Sequence, residues 1–389
     1  MISSIFTGNG IVVKASEQTA WSAQYFTAIV RGALTACGHS PNLVQSIACW
    51  PSVAPHLTSH PGISHITFIG SRPVAHHVAA SAAKSLTPVC VELGGKDAAI
   101  ILDDVKNFEK VSSILMRGVF QSAGQNCIGI ERVVAMPKAY ERLLQILTPR
   151  IRALRVGSAL DDEEEVDVGA CISPANFDNL ERLIQDAVSR GAQLLCGGSR
   201  YEHPKYSKGH YFAPTLLAGV TPDMPIAQQE LFAPIFVLLK ATSVDDAISI
   251  ANSTPYALGA SVFGSRAADL EKVTREVKVG MLSVNDFASY YMCSLPFGGV
   301  KGSGYGRFGG AEGLRSLCNT KSVNRDRFWG LISTAIPPRL DYVAEKVAAK
   351  GVRNAKAKAW EFAKGIVELG YGQSLGGRMK GLGKLVRHG

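Results

Sequence analysis

Two short motifs in this sequence could do chemistry together. In F-Q-S-A-G-Q-N-C-I-G, Cys127 follows small, polar, turn-forming residues. A thiolate is an effective nucleophile once its pKa is lowered or donors surround it. Buried apolar filler is the commoner role of a cysteine, but the polar neighbours Gln125, Asn126 and Gly129 weaken that alternative. In V-E-L-G-G-K-D, Glu92 closes an apolar run. An acid at the carboxyl end of a parallel strand usually faces a ligand crevice. Gly94 and Gly95 then allow a tight turn and close approach of a ligand. Pairing with a nearby Lys or Arg is the simpler role for Glu92. A carboxylate in a partly apolar pocket would instead have a raised pKa, suited to activating water.

The elements that must position these groups alternate along the chain. Ile11–Val13, Ser46–Cys49, Ile66–Ile69 and Val89–Leu93 read as strands. Residues 18–38, 72–85 and the short Pro55–Thr58 read as helices. That alternation indicates βαβ units and a parallel sheet. The Ile66–Gly70 strand leads to Ser71 as a helix N-cap, the kind of turn where a cofactor meets a strand. Asn107–Ala123 reads as a helix delivering Gly124-Gln125-Asn126-Cys127 at its end. Ile130–Met136 and Phe236–Lys240 read as strands, Asn176–Arg190 as an amphipathic helix, and Val244–Asn252 as a helix capped by Ser243. The acidic run 161–167 reads as a solvated loop, and glycines fill 298–310. These features divide the chain into 1–94, a partial dinucleotide-binding domain; 95–320, a catalytic domain with nucleophile and closing loop; and 321–389, a basic, partly helical extension.

The spacing of V-E-L-G-G-K and G-Q-N-C resembles the paired signatures of the aldehyde dehydrogenase superfamily, and further motifs follow in the same order over about 1–324. I-V-V-K-A-S-E is similar to the family's ribose-binding strand, which assigns Lys14 and Glu17 to that role. F-I-G-S is similar to the pyrophosphate turn, with Gly70 and Ser71. Q-Q-E-L-F-A-P is similar to the segment holding the nicotinamide ribose and ring, which assigns Glu230 and Phe232; Leu93 and Gly94 join them on the cofactor side. P-F-G-G-V-K-G-S-G-Y-G-R is similar to the loop closing the substrate funnel, with Phe297 at its mouth. Asn126 and Asn285 fall on the substrate side, although a structural turn explains Asn285-Asp286 equally well.

The resemblance implies an α/β aldehyde dehydrogenase fold with an incomplete Rossmann-like cofactor domain. It also implies a mechanism in which Cys127 attacks an aldehyde, the thiohemiacetal gives up hydride to a nicotinamide, and water activated by Glu92 hydrolyses the thioester. The Cys127 backbone N–H would be one oxyanion donor. A carboxylate at Glu17 would repel a 2′-phosphate and so favours NAD over NADP, with Lys14 offsetting part of that repulsion. The family's second oxyanion donor, an Asn upstream of the Lys14 strand, is not in the sequence, nor is the first strand of the cofactor sheet. The sequence therefore reads as N-terminally truncated. Losing such a donor costs about 10²–10³ in rate. Ala15, Ala233 and Glu131 are smaller departures to which no altered chemistry is attached. His39, His65, His76 and His77 lack ligand spacing, so no metal is expected.

The formal net charge is +9, but 325–389 holds 13 Lys/Arg against 5 Asp/Glu, and 1–324 is nearly balanced. The body is therefore not a nucleic-acid binder. Eight cysteines without C-x-x-C spacing suit a reducing compartment. The start lacks secretory features, and no apolar run is long enough to span a bilayer. In 341–369, Val343, Val347, Trp360, Phe362, Ile366 and Val367 could form an apolar helix face among lysines, fit for an anionic membrane surface or merely solvated. The Pro337-Pro338-Arg339-Leu340-Asp341-Tyr342 stretch resembles fungal membrane-associated aldehyde dehydrogenases of the meiotic sister-chromatid-recombination type. The expectations are a small-molecule aldehyde substrate, peripheral membrane contact through the tail, a cytoplasmic-side location at the endoplasmic reticulum, and a homo-oligomer at full length. The alternatives are an inactive, membrane-associated scaffold and an acylating enzyme passing its thioester to coenzyme A, the latter disfavoured by Glu92.

Overall fold

The computed structural model describes residues 1–160, 165–325 and 355–388. Two compact units divide the chain, Met1–Asn319 and Thr320–Gly389.

The first unit opens with two parallel strand pairs. Strands β1 (Ile11–Ala15) and β2 (Val44–Ala48) pair with Ile11 opposite Val44, and the helix Ala20–Ala36 lies between them in sequence. Strands β3 (Ile66–Ile69) and β4 (Val89–Glu92) pair with Ile69 opposite Glu92, and the helix Arg72–Ala83 joins them. A parallel pair needs such a crossover, because a tight hairpin cannot reverse the chain twice.

The remaining large sheet has seven strands. They are β5 (Asp97–Ile101), β6 (Ile130–Ala135), β7 (Gln193–Cys196), β10 (Thr215–Val220), β11 (Ile235–Lys240), β12 (Gly259–Phe263) and β13 (Met281–Val284). The short β8 (Arg200–Tyr201) and β9 (Tyr211–Phe212) form a separate antiparallel pair. The order across the large sheet is β13-β12-β5-β6-β11-β10-β7. All pairings are parallel except that of β7 with β10. Central strands of a parallel sheet are covered on both faces and read as continuous apolar runs; Ala98–Leu102, Val133–Ala135 and Ile235–Leu239 are all buried. The helices Phe108–Phe120 and Pro137–Arg152 contribute apolar stripes, Val111, Leu115 and Val119 from one and Leu143, Leu147 and Ile151 from the other. Full burial of each such leucine is worth about 1.5–3 kcal/mol.

Strands β5, β7–β10, β12 and β13 were not named from the sequence, and neither was one more in the glycine-rich segment. Within the glycine-rich segment, β14 (Gly304–Tyr305) pairs antiparallel with β4, placing Gly304 opposite Glu92. Gly304 has φ +112°, and a Cβ there would stand 2.0 Å from the Val91 carbonyl oxygen. Only glycine allows that approach. The segment is thereby anchored beside Glu92.

The described part of the second unit is a helical hairpin, Ala355–Tyr371 and Leu375–His388. Its helices cross closely at glycines: a Cβ on Gly365 would lie 2.9 Å from the Gly381 carbonyl oxygen. Lys384 ties them together, pairing with Glu368 at 2.6 Å and Glu361 at 3.6 Å. Trp360, Phe362, Ile366 and Val367 lie on the first helix; Val343, Val347 and the Pro337-Pro338 stretch lie outside the described residues, as does most of the acidic run 161–167. The described end of that run, Glu165 and Asp167, binds Arg155. Among the described residues, no helix is long and apolar enough to cross a membrane.

Candidate functional site

The helix before the nucleophile ends at Phe120, earlier than the sequence periodicity predicts, and the chain then turns sharply. Ser122, Ala123 and Gly124 have φ of 56°, 55° and 72°. A Cβ on Gly124 would stand 2.1 Å from the Ala233 carbonyl oxygen, so the nucleophile loop lies directly on the Glu230–Ala233 segment. Gln125 fixes the turn, donating to Ser122 and accepting from the Ile172 N–H. The Asn126 side-chain oxygen accepts from the Ile128 N–H at 3.3 Å and stands 4.0 Å from the Cys127 sulfur. Asn126 thus shapes the loop around the thiol. The Cys127 backbone N–H donates to no acceptor among the described residues, so it is free to face a ligand oxygen.

Cys127 is partly buried, and its pKa is raised well above the ordinary thiol range by burial first and by the neighbouring Glu92 carboxylate second. Glu92, at 1% exposure, is itself pushed up by burial, partly offset by the Gly94 N–H donating to Oε1 at 3.2 Å and by contact with the Cys127 thiol. The two groups therefore share a poorly hydrated site in which a protonated thiol faces a carboxyl of raised pKa. Such a carboxyl can accept a proton from the thiol, or later from a water. One wall is apolar: Ile128, Leu258, Met281 and Phe297 cluster, with Cys127 and Phe308 packed against them.

Phe297 is 8% exposed and its ring centroid lies 4.8 Å from that of Phe308, so it forms that wall and does not stand open at a mouth; Tyr291, Met292 and Leu295 are exposed side chains nearby in sequence. Asn285 takes φ +57° at the end of β13 and accepts from the Gly264 N–H at the end of β12 at 2.9 Å, which makes it a turn former.

Of the cofactor-side candidates, Gly70, Leu93, Gly94 and Glu230 gather around the end of β4, whereas Lys14 and Glu17 belong to the separate β1–β2 pair. Lys14 is on β1 and Glu17 is exposed in the first turn after it. Gly70 closes β3, donating to the Glu92 carbonyl at 3.1 Å, and Ser71 stands at the N-cap of Arg72–Ala83 without a side-chain capping bond. Leu93 donates to the Ser303 carbonyl. Gly94 has φ +77°, and a Cβ there would stand 2.1 Å from Glu230 Oε1. Glu230 accepts from the Gly95 N–H at 3.2 Å, and its carboxyl is pushed up to about 8, chiefly by burial and then by Glu131. Phe232 is 43% exposed at φ +53°.

Sequence reasoning passed over one cluster. Lys96, wholly buried, pairs with Glu131 at 2.7 Å. Arg132, also buried, donates to the carbonyls of Lys96, Ile250 and Ala251. A Lys directly after Gly-Gly and a Glu closely following the Cys were the available signal, yet nothing in the spacing alone joins them.

Comparison with known proteins gives a consistent picture. The family model described as the aldehyde dehydrogenase family matches residues 1–323. An aldehyde dehydrogenase-like protein of Saccharomyces cerevisiae is 52% identical over 394 residues, covering 100% of this chain and 60% of that protein. A second, from Schizosaccharomyces pombe, is 52% identical over 372 residues, with 96% and 69% covered. Among solved structures, betaine aldehyde dehydrogenase of Staphylococcus aureus in complex with NAD+ matches at TM-score 0.71 and 29% identity, covering 79% of this chain and 61% of that one. Glyceraldehyde-3-phosphate dehydrogenase of Methanocaldococcus jannaschii complexed with NADP matches at TM-score 0.74 and 27% identity, with 82% and 67% covered. The chain thus spans about 60% of the length of the Saccharomyces relative.

Proposed function

The chain belongs to the aldehyde dehydrogenase family, and from that premise we propose that it oxidises an aldehyde to a carboxylic acid with NAD(P), using Cys127 as nucleophile and Glu92 as general base. The observation that carries the proposal is the Glu92 carboxyl set against the Cys127 thiol in a largely dehydrated site.

The residues fit a dinucleotide. The N-terminus of a twelve-residue helix at Ser71 presents unpaired N–H groups suited to a pyrophosphate. Gly94, where a side chain would collide with Glu230, lets a ligand approach the backbone. Lys14 on β1 and Glu17 in the turn after it are assigned to the ribose hydroxyls, and the exposed Glu17 favours NAD over NADP. Glu230 and Phe232 are assigned to the nicotinamide ribose and ring. When bound, the nicotinamide supplies the hydride acceptor.

The chain's own groups do the rest. Glu92 takes the Cys127 proton, and the sulfur adds to the aldehyde carbon while the Cys127 N–H stabilises the alkoxide. After hydride loss the carbon is held as a thioester on Cys127. Glu92 releases that first proton to solvent and then draws a proton from water, whose oxygen attacks the thioester carbon; the acid departs and the Glu92 proton returns to the Cys127 sulfur. The apolar wall of Ile128, Met281 and Phe297 suits an aldehyde with an apolar portion. NADH formation from an aldehyde by the chain, lost in Cys127→Ala, tests the assignment; equal rates in both would refute it.

A second reading concerns the C-terminal hairpin. Trp360, Leu375, Met379 and Val386 are exposed beside Arg378, Lys380, Lys384 and Arg387, a combination suited to peripheral contact with an anionic membrane. Flotation with anionic liposomes checks it, and unchanged partition on deleting 325–389 would refute it.

A further inference from the structure

Glu131 lies in the apolar β6 strand at 6% exposure, four positions beyond the nucleophile. A carboxylate there needs partners to stay charged. It has them from two other segments. Lys96 Nζ reaches Glu131 Oε2 at 2.7 Å from the strand entry that follows Glu92. The N–H groups of Leu231 and Phe232 donate to Glu131 Oε1 at 3.1 Å and 3.0 Å, and Leu231 also reaches Oε2 at 3.2 Å. One buried carboxylate therefore joins the segments that carry the base, the nucleophile and the Glu230–Phe232 pair.

The joint has a specific consequence. Phe232 sits at φ +53°, a left-handed conformation that a bulky L-residue does not adopt unaided. Two adjacent amides pinned to one carboxylate hold the backbone there. That hold leaves the Phe232 ring 43% exposed while Leu231 is buried at 1%. It also sets Glu230 over Gly94-Gly95, where its Oε1 accepts the Gly95 N–H. A neutral acceptor could satisfy the amides, but only an anion also balances the enclosed Lys96 ammonium.

We infer that Glu131, charge-balanced by Lys96, is a positioning residue that locks the strained Glu230-Leu231-Phe232 turn against the nucleophile loop and so presets the nicotinamide half of the cofactor site. This rests on the cofactor reading proposed above.

The test separates the acceptor from the charge. In K96M/E131Q the Lys96 and Glu131 charges are removed together and the amide oxygen can still accept from Leu231 and Phe232. In K96M/E131L the charge is equally absent and the acceptor is gone. Hydrogen–deuterium exchange over 229–234 and NAD binding by tryptophan fluorescence are measured on both and on the unchanged chain. The expected result is at least tenfold faster exchange at the Leu231 and Phe232 amides and at least tenfold weaker NAD binding in K96M/E131L, with K96M/E131Q close to the unchanged chain in both. Equal exchange in the two variants would overturn the inference. Faster exchange with unaltered NAD binding would overturn it as well, leaving Glu131 a purely structural residue. An unchanged chain that binds no NAD contradicts the cofactor reading instead, and the exchange arm then still decides whether Glu131 holds the turn.

Discussion

The Glu92 carboxyl lies against the Cys127 thiol because Asp97 and Ile130 are register partners at the entry of adjacent parallel strands, β5 and β6. Each functional residue stands just upstream of one of those partners. The pairing that builds the centre of the large sheet thus also brings the two groups together. Gly304 of β14, opposite Glu92, holds the base from the other side.

From this follows the effect of removing the base. Glu92→Gln should slow hydride transfer, by removing the acceptor of the Cys127 proton, and should slow thioester hydrolysis further, by about 10²–10⁴. Intact-mass measurement should then find an acyl group accumulating on Cys127. The pH profile gives a second readout. Glu92 is held above its ordinary value by burial, so turnover should rise with pH through an inflection above the usual glutamate range, and that inflection should vanish in the variant. An unshifted inflection, or no acyl adduct, would contradict the role.

Glu230 links the site to stability. Its carboxyl is pushed from 4.5 to about 8, so the folded chain binds the proton more tightly than the unfolded chain does. Stability from this group is full below about pH 4.5 and is lost as pH rises towards 8, by up to about 1.4 kcal/mol per pH unit. Thermal unfolding followed from pH 5 to 8 should show a falling midpoint that flattens in Glu230→Gln. Parallel curves for the two proteins would rule the effect out.

Gly94 is required twice over, by φ +77° and by the Glu230 oxygen that would stand 2.1 Å from a Cβ. Gly94→Ala should cost about 1–3 kcal/mol from backbone strain alone and displace Glu230. Calorimetry should record both a lower unfolding midpoint and weaker NAD binding. Unchanged binding would show that ligand approach does not depend on this turn.

Local chemistry was legible where sequence pattern and structure share a cause. Ile66–Ile69 and Val244–Asn252 form as their periodicity predicts, the latter with Ser243 accepting from the Asp246 N–H. The glycines of the E-L-G-G-K motif marked a tight turn, which Gly94 makes at φ +77°. What escaped was set by tertiary pairing. Gly304-Tyr305 is too short and too closely flanked by glycines to read as a strand, and it becomes β14 because β4 offers an edge. Lys96 and Glu131 are far apart in sequence, and only the β5–β6 register makes them an ion pair. Phe297 in a glycine-rich loop gave no sign that Phe308 would bury it.

The central claim is that oxidation proceeds through the Cys127 thiol. Stopped-flow mixing of the chain with NAD and a medium-chain aldehyde tests it most directly, beside Cys127→Ala. The account predicts a rapid burst of NADH approaching one equivalent per chain, followed by slower turnover, and no burst in the variant. A burst of equal size in Cys127→Ala, or none in either protein, would contradict it.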